Sequence, residues 1–231
     1  MLGERTDKSA NSRASAWGKK RFMKSYTPRK WDLSGLQGIS DATLETHFGL
    51  YEGYVKNTNT LIELTTQARE RGEVKGDPRF AELVRRMGWE FNGMRLHEYY
   101  FDNLTKSPKQ LSGGQLYDLL GASYGDFETW RKDFFAVGEM RGVGWAIAFF
   151  DPLAKQISNH WIEQHHSGNI AGFVPIVVMD CWEHAFIKDY KPSERGKYIE
   201  AFYANLNWDM CEKRLTRART EATELAAGGR N

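Results

Sequence analysis

The residues best suited to chemistry in this chain are one aspartate and three histidines. Asp180 comes directly after Phe173–Met179, a Val- and Ile-rich run that reads as a buried strand. A carboxylate at the end of such a strand lies beside the core, where an unpaired charge is very unfavourable. A metal cation resolves that conflict, and His184 follows four residues later. His47 and His97 fall on the apolar stripes of two predicted helices. Either one alone reads first as a hydrogen-bonded core histidine. Antiparallel helices bring the two imidazoles to one point. Three neutral imidazoles and one carboxylate form a mixed nitrogen and oxygen set suited to iron or manganese. Four protein donors also leave a coordination position for solvent or substrate.

Other motifs carry less. Leu111-Ser112-Gly113-Gly114-Gln115 spells the signature of ABC-type ATPases, but no G-x-x-x-x-G-K motif is present to cradle phosphate. A glycine-rich turn into a helix explains it better. Glu163 and His166 have the spacing of a di-iron ligand pair, which needs a second such pair on helices. His160, His165 and His166 have no partners at zinc-site spacing. Cys181 and Cys211 form no C-x-x-C pair and read as reduced thiols of a cytoplasmic protein.

The positioning elements follow from periodicity. Leu44, His47, Tyr51, Tyr54, Thr58 and Leu61 recur at helical steps, with Ser40 or Asp41 as cap. Arg71–Lys75, with Gly72 and Gly76, breaks the pattern. Asp77-Pro78 opens a second helix, with the stripe Phe80, Val84, Met87, Phe91, Met94, His97 and Phe101. A short link between long helices predicts an antiparallel hairpin. Beyond Ser107-Pro108, Leu116–Leu120 and Phe127–Phe135 read as helices, and Gly144–Phe150, Gln156–Glu163 and Phe173–Met179 as extended runs. Helical pattern resumes after Trp182 and again from Arg195 to about Ala218. The order is α+β. The expected divisions are a polar basic arm over residues 1–30, a helical hairpin over 31–108 and an α/β domain over 109–231.

Bulk properties narrow the partners. The net charge of +2 is too near balance for a nucleic-acid binder, although Arg13, Lys19, Lys20, Arg21, Lys24, Arg29 and Lys30 crowd the start. That arm reads as a solvated tail. Organelle targeting is the weaker reading, because Glu4 and Asp7 are unlike a transit peptide. No apolar run is long enough to span a membrane. Aromatic residues reach 13%, enough to wall a site that must exclude water.

Asp180-Cys181-Trp182-Glu183-His184-Ala185-Phe186 resembles the D-x-W-E-H-A signature, closed by Tyr or Phe, of the iron/manganese superoxide dismutases. The resemblance runs over about residues 40–215. His47 with Gly49, Asn57 and Asn59 resembles the first ligand region, and His97 with Tyr100 the second. Ser123-Tyr124-Gly125 with Phe127, Gly142-Val143-Gly144-Trp145 and Asn207-Trp208-Asp209 resemble three further segments in the right order. The resemblance implies a helical hairpin followed by an α/β domain with a small three-stranded antiparallel sheet, the metal lying between them. It implies dismutation of superoxide to oxygen and hydrogen peroxide by a metal held by His47, His97, Asp180 and His184. Tyr54 matches the gate tyrosine. Trp145 and Trp182 match aromatic walls. Glu183 matches a residue that reaches the ligand histidine of a second subunit, implying a homodimer or a dimer of dimers.

Some positions depart from the family. Tyr54 follows His47 by seven residues, one fewer than usual. Steps of four and seven keep His47, Tyr51 and Tyr54 on one face of a regular α-helix, so no π-bulge is expected there. Tyr51 and Ile187 replace side chains that meet across the dimer interface in the family. Gly93 lacks the glutamine of many iron types, which leaves His165 as the expected hydrogen-bonding partner of Tyr54 and metal-bound solvent. Val178 resembles iron types in its bulk. The reading is one iron per subunit, with manganese the second choice. Two alternatives keep the same residues: an interaction module that retains the fold without catalysis, and another mononuclear iron oxidoreductase.

Overall fold

The computed structural model describes residues 25–228 of the chain. Two long helices come first. Ser40 opens α1 (Asp41–Glu70), its hydroxyl accepting from the Thr43 amide at 3.2 Å. Helix α1 runs without a wider turn between His47 and Tyr54, as the spacing predicts. The chain reverses through Gly72 and Gly76, both at positive φ. Asp77 then caps α2 (Pro78–Asp102) by accepting from the Arg79 amide at 2.8 Å. The hairpin is thus formed, but its two ends differ. Val84, expected in the stripe, is 48% exposed, and the buried part of α2 begins only at Glu90. The first turns of α2 are only partly covered among the described residues, with Arg69 of α1 lying 5.6 Å over the Phe80 ring.

Helices α3 (Gln115–Tyr124) and α4 (Phe127–Gly138) lead into β1 (Trp145–Asp151), β2 (Gln156–Ile162) and β3 (Val174–Asp180). The sheet is antiparallel with order β2-β1-β3. Central β1 is buried along its length up to Asp151. Its register pairs Trp145 with Ile162 on one side and Asp180 on the other. Asp180 is therefore the last residue of a buried strand, next to an indole. The Asn103 carboxamide joins α2 to this sheet, with its oxygen accepting from the Val178 amide at 2.8 Å.

One expected helix is two. α5 (Arg195–Ala204) and α6 (Trp208–Gly228) are separated at Asn205–Asn207. The Asn205 side chain bonds both the amide and the carbonyl of Gln37, at 3.0 and 2.7 Å. The Asn207 amide donates to Asn103 O at 2.8 Å. Polar side chains that bond distant backbone in this way compete with helix continuation. The N-terminal arm also differs from expectation. Residues 1–24 lie outside the described residues. Residues 25–30 are not a free tail, because they are bonded along the hairpin. Among the described residues, no helix is long and apolar enough to cross a membrane.

Candidate metal centre

His47 from α1, His97 from α2, Asp180 from the end of β3 and His184 from the following 3-10 turn (Glu183–Ala185) converge. Their donor atoms all lie within 4.8 Å of one another. Nε2 of His47 and Nε2 of His184 each stand 3.1 Å from Asp180 Oδ2, and His97 Nε2 stands 3.7 Å away. The second carboxylate oxygen is fixed by the Trp182 amide at 2.8 Å. His97 Nδ1 faces the Gly93 carbonyl at 2.6 Å, so Nδ1 carries the proton and donates. Its Nε2 is left as a lone pair, buried and without a hydrogen-bond partner among the described residues. An orphaned imidazole lone pair, aimed at a fully buried carboxylate between two more imidazoles, fits a cation and fits little else.

Electrostatics agree with that fit. Burial pushes Asp180 up, but His184 and His47 outweigh it and hold the carboxyl well below its usual range. Burial holds His97 well below the ordinary imidazole value and lowers His47 as well. His184 loses some of its charge preference to burial, yet the Asp180 carboxylate raises it overall. The group therefore presents one anion and, in His47 and His97, two imidazoles that favour the neutral, ligating form, while His184 is drawn toward Asp180.

Residues 112–214 match the family model for the C-terminal domain of iron/manganese superoxide dismutases. The Mn/Fe superoxide dismutase of Aeropyrum pernix is 34% identical over 175 residues, which cover 74% of this chain and 80% of that protein. This chain belongs to the iron/manganese superoxide dismutase family. The Fe superoxide dismutase of Saccharolobus solfataricus is 31% identical over 192 residues, covering 79% and 88% of the two chains. The Mn superoxide dismutase of Haloarcula marismortui is 30% identical over 184 residues, with the same coverage.

In this family member a directional hydrogen-bond chain borders the four donors. The Trp145 indole, which can only donate, gives its Nε1 proton to His165 Nδ1 at 3.1 Å. Burial lowers the His165 pKa to about 4, so the ring is neutral and its remaining proton sits on Nε2. Nε2 then donates to Tyr54 Oη at 2.7 Å. The Tyr54 hydroxyl keeps its own proton available, and burial raises its pKa to about 12. The Tyr54 ring packs 5.1 Å from His97. It also lies so close to α2 that a Cβ at Gly93 would fall 2.6 Å from its Cδ1. Glycine at 93 is thus required by the ring that fills its place.

His165 is buried and His166 exposed, as the dismutase reading expects, but the reason is not strand alternation. β2 ends at Ile162, and Gln164–Ser167 forms a tight turn closed by Ser167 N to Gln164 O at 3.2 Å. Glu163 is exposed near this turn, and among the described residues it joins no cluster of metal-ligating groups, which argues against the di-iron spacing. Trp182 packs 5.2 Å from His165 and Trp145 packs 5.1 Å from His97. The sequence reading missed Trp89. Its ring lies 4.7 Å from His165 and 6.2 Å from Trp182, completing the wall from α2. It also missed Tyr198, whose hydroxyl donates to Asp180 O at 2.7 Å. The count of eight tryptophans was the only hint of a third wall residue.

Tyr51 and Ile187 replace the side chains that bridge two subunits in the family. Here the Tyr51 hydroxyl donates to Glu98 Oε1 at 3.0 Å and accepts from the Arg29 amide at 2.9 Å, and the side chain is buried. Glu183 is exposed, and Ile187 is 44% exposed.

The gate assignment has a direct test. Tyr54→Phe removes one hydroxyl and leaves the donor set intact. The variant is expected to keep its full metal content while turnover falls about 100-fold, the low end of what a positioned proton donor contributes. Equal rates for variant and parent at every superoxide concentration would remove Tyr54 from the mechanism.

Proposed function

We propose that this protein is a superoxide dismutase that converts superoxide and protons to oxygen and hydrogen peroxide. The observation that carries this reading is the convergence of His47, His97, Asp180 and His184 around one buried point. These residues would hold a single iron or manganese ion. When bound, the ion supplies one-electron redox chemistry, accepting an electron from one superoxide and returning it to another. The chain's own residues do the rest. Asp180 balances the ion's charge in a water-poor site, and the Trp182 amide fixes its orientation. Trp89, Trp145 and Trp182 keep bulk water out. Tyr54 holds a proton at Oη, and His165 restrains that oxygen from the far side.

Iron is the first metal of this reading. Val178 occupies the position where bulk accompanies iron, and manganese is the second metal the same donors accept. The reading includes a homodimer. Exposed Glu183 and Ile187 flank His184 on the turn that a second copy would meet. A dimer of dimers remains part of this proposal. A cytoplasmic setting is supported by two cysteines that are free and buried. The test is elemental analysis of the purified chain coupled to superoxide consumption. Roughly one iron or manganese per chain with rapid consumption is the expected result. A metal-free protein, or a metal-loaded one inert toward superoxide, overturns the reading.

A further inference from the structure

The segment from Ser25 to Trp31 is bonded to both helices of the hairpin. The Tyr26 amide donates to Asn59 Oδ1 at 2.7 Å, and Asn59 Nδ2 returns a bond to Tyr26 O at 2.8 Å. The Arg29 guanidinium grips both oxygens of Asp102 at 3.0 and 2.6 Å, and Trp31 Nε1 adds a third bond to that carboxylate at 2.8 Å. Between these anchors the Arg29 amide donates to Tyr51 Oη, and Tyr51 donates onward to Glu98. Glu98 is a buried carboxylate, and Arg95 binds its second oxygen. Trp31 packs over the crossing, 5.2 Å from the Tyr51 ring and 4.9 Å from Phe101.

The place of this crossing matters more than its bond count. Tyr51 lies one turn after His47 on the same face of α1. Glu98 is the residue after His97 on α2. The Tyr51–Glu98 bond therefore spans from α1 to α2 at the level where the two imidazoles meet. A hydrogen bond to a buried carboxylate is strong and directional. It fixes both the spacing and the rotation of the helices that present the two rings.

We infer that Tyr51 and Glu98, keyed by the Arg29 amide, are positioning residues that set the separation of His47 and His97 and so govern how tightly the centre keeps its ion. This inference rests on the metal-centre reading above. Tyr51 touches neither ion nor substrate in it. Loss of the clamp lets the helices breathe, and the ion escapes faster. Outer hydrogen bonds that orient ligands commonly change metal affinity by about 10- to 100-fold.

The experiment loads the full-length chain with iron or manganese and measures release to an excess of chelator. Tyr51→Phe removes the hydroxyl and keeps the ring. Arg29→Pro removes the amide donor, and Arg29→Ala keeps it while also losing the guanidinium. Tyr124→Phe is the control, because Tyr124 Oη accepts from the Asn159 amide at 2.8 Å on the far side of the sheet. Tyr51→Phe is expected to release metal about 10-fold faster, and Arg29→Pro faster than Arg29→Ala. Tyr124→Phe is expected to lower the melting temperature without changing release. Parent-like release from Tyr51→Phe, or equal acceleration by Tyr124→Phe, overturns the clamp while leaving the functional reading intact. A parent chain that takes up neither metal overturns that reading and the clamp with it.

Discussion

Asp180→Ala is expected to give a folded protein without metal and without superoxide consumption. The reason is charge as much as geometry. Of the four converging donors, Asp180 is the one anion, and the three imidazoles contribute none. Structural zinc sites of four donors bind with roughly 10–16 kcal/mol at neutral pH, and on that scale losing one donor of average weight removes about 3–4 kcal/mol. That is on the order of 100- to 1,000-fold in affinity, and loss of the anion adds to it. The fold itself should survive. Alanine removes a buried charge along with the bond from the Trp182 amide, and that bond contributes only about 1–3 kcal/mol. Asp180→Asn sharpens the test, since its amide oxygen still accepts from Trp182 while the charge is gone. Both variants are expected to be empty by elemental analysis and inactive. Stoichiometric metal in either would refute the assignment of the carboxylate.

His165→Ala is the second large effect, and it separates activity from metal binding. His165 is no member of the donor set, so the ion stays. Its loss orphans the buried Trp145 indole and removes the donor that holds Tyr54 Oη. Turnover should fall about 100-fold, the low end of what a positioned proton donor contributes. Releasing the Tyr54 hydroxyl from the bond that His165 makes to it also changes the hydrogen bonding around the centre, which shifts the reduction potential. A dismutase needs a potential between those of its two half-reactions, so the iron-loaded and manganese-loaded forms should respond unequally. Exposed His166 is the internal control, with Gln164 beside it. Alanine at either is expected to leave the ratio of the two activities unchanged. A changed ratio there, with an unchanged ratio in His165→Ala, would move the role to the neighbour.

The donor set was legible because each ligand breaks a simple pattern. Asp180 ends an apolar strand, and His47 and His97 interrupt apolar helical stripes. Such anomalies are visible locally. The hairpin and the three extended runs were visible for the same reason, since period and turn residues are local properties. What stayed hidden depends on partners far apart in the chain. The stripe placed Tyr51 on the correct face, but Arg29 and Glu98 decide where its hydroxyl points. Trp89 lies off the predicted stripe of α2 and becomes a wall only because the turn carrying His165 folds over it. The break at Asn205 exists because Gln37 offers its backbone to that side chain. Val84 shows the converse error, a stripe position that no tertiary neighbour covers.

The centre also closes a very long loop. His47 and Asp180 touch across 133 residues of chain. At about 5–20 residues per second, synthesis from His97 to Asp180 takes roughly 4 to 17 s. Throughout that interval the nascent hairpin displays two imidazoles without the carboxylate that completes the set. The full donor set therefore assembles only once the last strand has docked.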